Sequence, residues 1–94
     1  MSSNGKTNYH RLERLVRGFS NHRRIEIMGL LNRKPELSVS EVADELHINF
    51  KTASEHIRRL AVADLVLKRS DNASVRHKLT PRGNSILKFL RTLE

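Results

Sequence analysis

The sequence predicts a mainly helical fold with one small β-hairpin, in the order α-α-α-α-β-β-α. Three observations predict it. Apolar residues recur at helical spacing through the first two thirds and again at the end, the period changes to strict alternation only after Asp64, and cap or breaker residues stand where each pattern stops. Ninety-four residues, 37% of them hydrophobic, suit one compact domain with a modest core and are too few for two.

Residues 1–7, "MSSNGKT", are small and polar with nothing to bury, and are expected to form a flexible tail ahead of a folded domain over 8–94. From Asn8 onward, Tyr9, Leu12, Leu15, Val16 and Phe19 define a first helix, with Gly18 placed to end it in a left-handed cap. Ser20 or Asn21 can cap a second helix, whose apolar face of Ile25, Met28 and Leu31, flanked by Ile27 and Leu30, runs until Pro35 closes it. Ser38 followed three residues later by Glu41 is a capping box, so the third helix starts near Val39. Val42, Ala43 and Leu46 give that helix a small buried stripe, while Glu41, Asp44 and Glu45 lie in or near its first turns, where the helix dipole favours acids.

Asn49 caps a fourth helix, leaving only His47 and Ile48 as the joint. A joint that short makes the two helices cross steeply, as in a helix-turn-helix. At about 100° per residue, Ala53, Ile57 and Leu60 share the inner side of the fourth helix, with His56 and Ala61 at its margins. Lys51, Glu55, Arg58 and Val62 point outward, flanked by Thr52, Ser54 and Arg59. That outer face carries hydrogen-bonding groups first and guanidinium groups further along, the order a duplex reader needs, because base edges lie deep in a groove walled by phosphates.

After Asp64, "LVLKRSDNASVRHKLT" alternates: Val66 and Lys68 oppose Leu67 and Arg69, and Val75, His77 and Leu79 oppose Arg76 and Lys78, with "SDNAS" as turn material. This reads as a hairpin with a basic outer side. Thr80 and Pro81 are a good cap and first helical residue for a last helix, in which Ile86, Leu87, Phe89, Leu90 and Leu93 supply more apolar surface than so small a domain easily covers.

The formal net charge is +8, carried by a mixed composition and not by a polybasic tail, so the excess belongs on a folded surface. Nucleic acid is the leading partner, ahead of an anionic membrane. The chain contains no cysteine, no apolar run near the roughly 20 residues that span a bilayer, and no apolar leader at its start, which predicts a cytoplasmic protein with no membrane partner. A small enzyme finds no support, since no nucleophile stands with a base at a recognisable spacing and no Gly-rich phosphate loop is present. No cofactor is expected.

The order of elements, together with "SNHRRIEIMGLL", "ELSVSEVADEL" and "TASEHIRRL", resembles the winged helix-turn-helix transcription regulators, and more specifically the ArsR-like repressors, over roughly residues 10–80. "LTPRG" at Leu79–Gly83 is also similar to the segment after the wing in MarR-type regulators, leaving the subfamily open. The resemblance implies a homodimeric, sequence-specific regulator of transcription, expected to repress, on an inverted-repeat site in double-stranded DNA. Lys51, Thr52, Ser54 and Glu55 would face base edges, Arg58 and Arg59 phosphates, and Lys68, Arg69, Arg76 and Lys78 of the wing the backbone or adjacent minor groove. For Glu55 a second reading is a pair of helical salt bridges, to Lys51 and Arg59. The alternative function is a winged-helix module docking on a protein or RNA-containing assembly, which an apolar outer face on the fourth helix would mark.

The resemblance also implies a two-fold dimer built from the first and last helices, with Tyr9, Leu12 and Val16 meeting Ile86, Phe89, Leu90 and Leu93. In metal-sensing relatives, thiolates occupy the positions of Ser38 and Ser40. Neutral serine hydroxyls do not replace them for soft metals, the last helix has no histidine, and so no metal site is expected.

Overall fold

The computed structural model describes residues 6–94, so residues 1–5 of the expected tail lie outside the described residues. The elements follow the predicted order: α1 Tyr9–Phe19, α2 His22–Arg33, α3 Val39–Leu46, α4 Phe50–Val62, β1 Val66–Ser70, β2 Val75–Leu79 and α5 Pro81–Arg91. Each helix begins at a side-chain cap. Asn8, Asn21, Asn49 and Thr80 accept from backbone amides two or three residues on, and Ser38 and Glu41 form the reciprocal box at 3.1 and 2.8 Å. A cap contributes about 1 kcal/mol, enough to set boundaries in helices of only two to four turns.

One apolar cluster holds the elements together. Ile27, Met28, Leu30 and Leu31 of α2 lie at its centre, met by Val42, Ile57, Leu60 and Leu65, while Phe19, Val66, Leu79 and Leu87 close it from α1, the hairpin and α5. The hairpin pairs antiparallel, Val66 with Leu79, Lys68 with His77 and Ser70 with Val75. The free edge of β2 is bridged at its middle residue, His77, by Leu37, so the segment entering α3 acts as a short third strand.

Gly18 does not form the expected left-handed cap. Helix α1 continues through it to Phe19, with Ser20 as its cap. The glycine is needed for closeness: a Cβ there would stand 2.5 Å from the Cβ of Ala63, so its absence lets α1 lie directly on the end of α4. Left-handed backbone falls instead on Glu36, His47 and Asp64, the hinge residues before α3, between α3 and α4, and before the hairpin. Gly83 is packed more tightly still, its missing Cβ falling 2.2 Å from the carbonyl oxygen of Leu65.

The apolar stripe expected on α5 divides. Leu87 is buried, Ile86 and Leu90 pack at the margin of the chain's own core, and Phe89 and Leu93 remain exposed.

Gly83→Ala and Gly18→Val are expected to lower unfolding stability by about 1–3 kcal/mol through overpacking. Gly29→Ala, whose new Cβ meets nothing nearer than the Arg33 guanidinium at 3.7 Å, should raise it by about 0.5–1 kcal/mol. Urea denaturation of the three variants measures both signs.

Candidate nucleic-acid interface

The joint between α3 and α4 fixes how α4 is presented. His47 is left-handed at φ 56° and ends α3, the amide of Ile48 donates to the carbonyl of Ala43 at 3.0 Å, and the side chain of Asn49 accepts from Lys51 at 2.7 Å. With Ala53, Ile57 and Leu60 fully buried, the opposite side of α4 has to face solvent. Lys51, Thr52, Glu55, Arg58, Arg59 and Val62 are exposed there, whereas Ser54 is half-buried and less open than expected.

Glu55 is committed to two arginines. Its carboxylate accepts from Arg58 Nε at 3.0 Å and Nη2 at 2.7 Å, and from Arg59 Nε at 3.1 Å. The partner expected at Lys51 is replaced by Arg58, because a guanidinium three residues on reaches the carboxylate with a two-pronged fork. These bonds, that to Arg58 foremost, hold the Glu55 carboxyl down to about 2. Arg24 of α2 stands close to this group: burial, then the charge of Arg59, lower its pKa, while Glu55 opposes the shift. Burial also keeps His56 below the ordinary imidazole range, and the Nε of Arg24 and Nδ1 of His56 are buried without hydrogen-bond partners among the described residues. No helical pattern pointed to Arg24, since its neighbours on α4 come from tertiary packing.

The four basic wing residues do not share one face. Arg69, Arg76 and Lys78 lie with Leu67 on the outer face, while Lys68 lies on the inner-facing side, opposite buried His77. Two of the three outer cations are held within the chain. Arg69 pairs with the Glu36 carboxylate, and Arg76 binds Asp71 at 3.1 Å and the Glu36 carbonyl at 3.0 Å. The turn depends on the same acid: Asp71 accepts from the amides of Ala73 and Ser74, both at 2.9 Å, and these bonds with the Arg76 contact hold its carboxyl down to about 2. Lys68 and Lys78 have no ion-pair partner among the described residues.

His77 carries a structural role that alternation alone did not assign. It is 1% exposed, its ring Nδ1 donates to the Leu37 carbonyl at 2.9 Å, and its backbone bonds both Glu36 and Leu37. Alternation marked His77 as inward-facing; the carbonyl that satisfies it belongs to a segment forty residues away. Among the described residues no three His, Asp or Glu side chains are grouped as a metal centre requires.

Tyr9, Leu12 and Val16 are exposed along α1, as are Phe89 on α5 and Leu93 just beyond its end. Helix α1 rests on α4, and α5 on α2 and β2, so these residues lie on outward faces.

The model of the bacterial regulatory protein arsR family matches residues 21–68, which include α2, the α3–α4 pair and the start of the wing. The chain belongs to the ArsR family. It is therefore a DNA-binding transcriptional regulator and not an enzyme, and the open choice of subfamily falls to ArsR. Among solved structures, this ArsR-family chain is similar to the homodimeric winged helix-turn-helix DNA-binding domain of Mb0332 from Mycobacterium bovis, a possible ArsR-family regulator. The TM-score is 0.81 at 20% identity, over 95% of this chain and 87% of that one, a likeness of fold. Reduced HlyU from Vibrio cholerae is 26% identical, with a TM-score of 0.77 over 92% of this chain and 90% of that one. An ArsR-like regulator from Rhodococcus sp. RHA1 is also 26% identical, with a TM-score of 0.71 over 90% and 77%. No curated protein matches the chain in sequence. No helix among the described residues is long and apolar enough to cross a membrane.

The depressed carboxyl of Glu55 gives a direct test of the arginine clamp. A carboxylate whose folded pKa lies below its unfolded one contributes stability above the unfolded value, near 4.3, and loses it as pH falls toward 2. Side-chain NMR titration should place Glu55 near 2, and Arg58→Ala should return it most of the way toward the ordinary glutamate range, with Arg59→Ala moving it less.

Proposed function

We propose that this ArsR-family regulator is a homodimeric repressor that reads an inverted repeat with the N-terminal half of α4. The observation that carries the reading is the division of the outer face of α4. Lys51 and Thr52 project freely at its start, while Arg58 and Arg59 are held in place by Glu55 one to two turns later. Free donors suit base edges, which reward one geometry and penalise others, and pre-oriented guanidinium groups suit phosphates, which recur identically along the strand. Lys78, with Arg69 and Arg76 beside it, would follow the backbone next to that groove. Lys68 would reach a strand only around the edge of the wing. Glu55 serves in this reading as the clamp and leaves base recognition to its neighbours.

Dimerisation rests on the exposed apolar faces. Phe89 is 56% and Leu93 66% exposed, beside a core that is already closed. Tyr9, Leu12 and Val16 offer a matching stripe on α1, and a two-fold pairing of the two helices covers both while setting the α4 helices about 34–36 Å apart, one duplex turn. The regulator works without a metal-sensing site, because Ser38 and Ser40 stand where thiolates would be required.

Selection of bound sequences from a randomised duplex library tests the whole reading, with a motif of two-fold symmetry as the expected result. Lys51→Ala or Thr52→Ala should relax discrimination at particular base pairs by about 1–3 kcal/mol, while Arg58→Ala weakens all sequences alike and reduces the salt slope by about one ion. An unchanged selected motif in the Lys51 and Thr52 variants would show that α4 is seated differently. Phe89→Glu leaves the monomer core intact and is expected to shift sedimentation from dimer to monomer and to reduce operator affinity at least tenfold. Equilibrium dialysis against zinc, cadmium and arsenite should recover no stoichiometric metal at micromolar concentrations.

A further inference from the structure

Between α1, the end of α4 and the start of α5 lies an open groove of about 660 Å³, within the size range of small-molecule sites. Six arginines line it: Arg11, Arg14 and Arg17 from α1, Arg58 and Arg59 from α4, and Arg82 from α5. Leu12, Leu15, Val62 and Ala63 supply apolar walls between them. Val62 is 77% exposed, an apolar group that the core does not use. Glu13 pairs with Arg17, Glu55 serves Arg58 and Arg59 together, and Asp64 also lines the groove, so six cations face three carboxylates. Arg11 and Arg14 have no ion-pair partner among the described residues.

The occupant therefore has to be an anion, yet a phosphate alone would leave the apolar walls uncovered. An acid with a compact apolar body satisfies both kinds of wall, since guanidinium groups fork onto a carboxylate and stack on flat apolar surface. At about 100° per residue, Arg11 and Arg14 lie on the opposite flank of α1 from Tyr9, Leu12 and Val16. Leu12 stands on the edge shared by the stripe and the groove, so a dimer seated on the stripe takes up that edge and leaves Arg11 and Arg14, with Leu15, Val62 and Ala63, open.

We propose that this groove binds an organic monoanion with a compact apolar body, an aryl or short acyl carboxylate, and that the ligand competes with DNA because Arg58 and Arg59 belong to both sites. The competition rests on the proposed role of those arginines at phosphates; binding in the groove does not.

The test uses the full chain with 2-naphthoate as probe and the neutral 2-naphthylmethanol as control, followed by calorimetry and amide chemical shifts. The anion is expected to bind with a Kd of roughly 10–100 µM and the alcohol at least tenfold more weakly. The double variant Arg11→Gln/Arg14→Gln should weaken naphthoate about tenfold while leaving affinity for the selected operator within about threefold at fixed ionic strength. In the wild type, saturating naphthoate should weaken operator binding at least tenfold. Absence of naphthoate binding, equal binding of the alcohol, or indifference to the double variant overturns the site. Sedimentation with phosphatidylglycerol vesicles but no affinity for free naphthoate overturns it in favour of a membrane-facing surface. Direct binding without displacement of DNA overturns the competition alone, and direct binding by a chain with no affinity for any duplex supports the groove while sinking the DNA reading.

Discussion

The rest of the fold depends on a backbone junction where Asp64 and Leu65 meet Thr80 to Gly83. Asp64 turns the chain out of α4 in a left-handed conformation at φ 63°, and Leu65 beyond it is fully buried. The Thr80 hydroxyl donates to the Asp64 carbonyl at 2.7 Å and accepts from the Gly83 amide at 3.0 Å, while the Thr80 amide donates to the Leu65 carbonyl at 3.1 Å. Because Gly83 has no side chain, α5 begins against that same carbonyl. One threonine thus ties together the end of α4, both ends of the hairpin and the start of α5. Buried polar groups left unpaired cost about 1–3 kcal/mol each, so losing any one of these bonds weakens the junction. The orientation of the wing relative to α4 follows from it.

A second tie works from the free edge of β2. Glu36 and Leu37 bond the backbone of His77, and the Glu36 carboxylate and carbonyl reach Arg69 and Arg76 across the outer face. The wing is consequently fixed to the segment entering α3, and α3 to α4 through the left-handed turn at His47. These two ties leave the basic hairpin little freedom to move independently of α4, which is what a surface that must match a rigid duplex requires.

Three acids at α4 and the wing are used in the same way. Glu55, Glu36 and Asp71 each sit among arginines, and each carboxyl is held below its ordinary range by the bonds it accepts. Exposed pairs of this kind add little to stability. Their larger effect is to orient guanidinium groups that would otherwise sample many rotamers, reducing the entropy lost when an anion arrives. Lys51, Lys68 and Lys78 have no ion-pair partner among the described residues, and so α4 and the wing carry two kinds of cation: arginines pre-set by carboxylates and lysines free to adapt.

The order of elements, the caps at Ser38, Asn49 and Thr80, the tight joint at His47 and Ile48, and the outward residues of α4 were all legible in the sequence. All of these are local: a cap acts within three residues, and a helical face follows from a fixed angle per residue. The tertiary structure alone decided what depends on the approach of distant segments. Gly18 read as a cap and proved to be a contact with Ala63; His77 read as one alternating residue and proved to join the wing to Leu37. The partition of the α5 stripe into core-facing Leu87 and exposed Phe89 and Leu93 depends on where α2 and β2 lie, and the gathering of Arg24 toward Glu55 and Arg59 depends on the crossing of α2 and α4. Periodicity states which residues share a face. Packing decides which faces meet, because that choice is set by volumes and unpaired polar groups summed over the whole core.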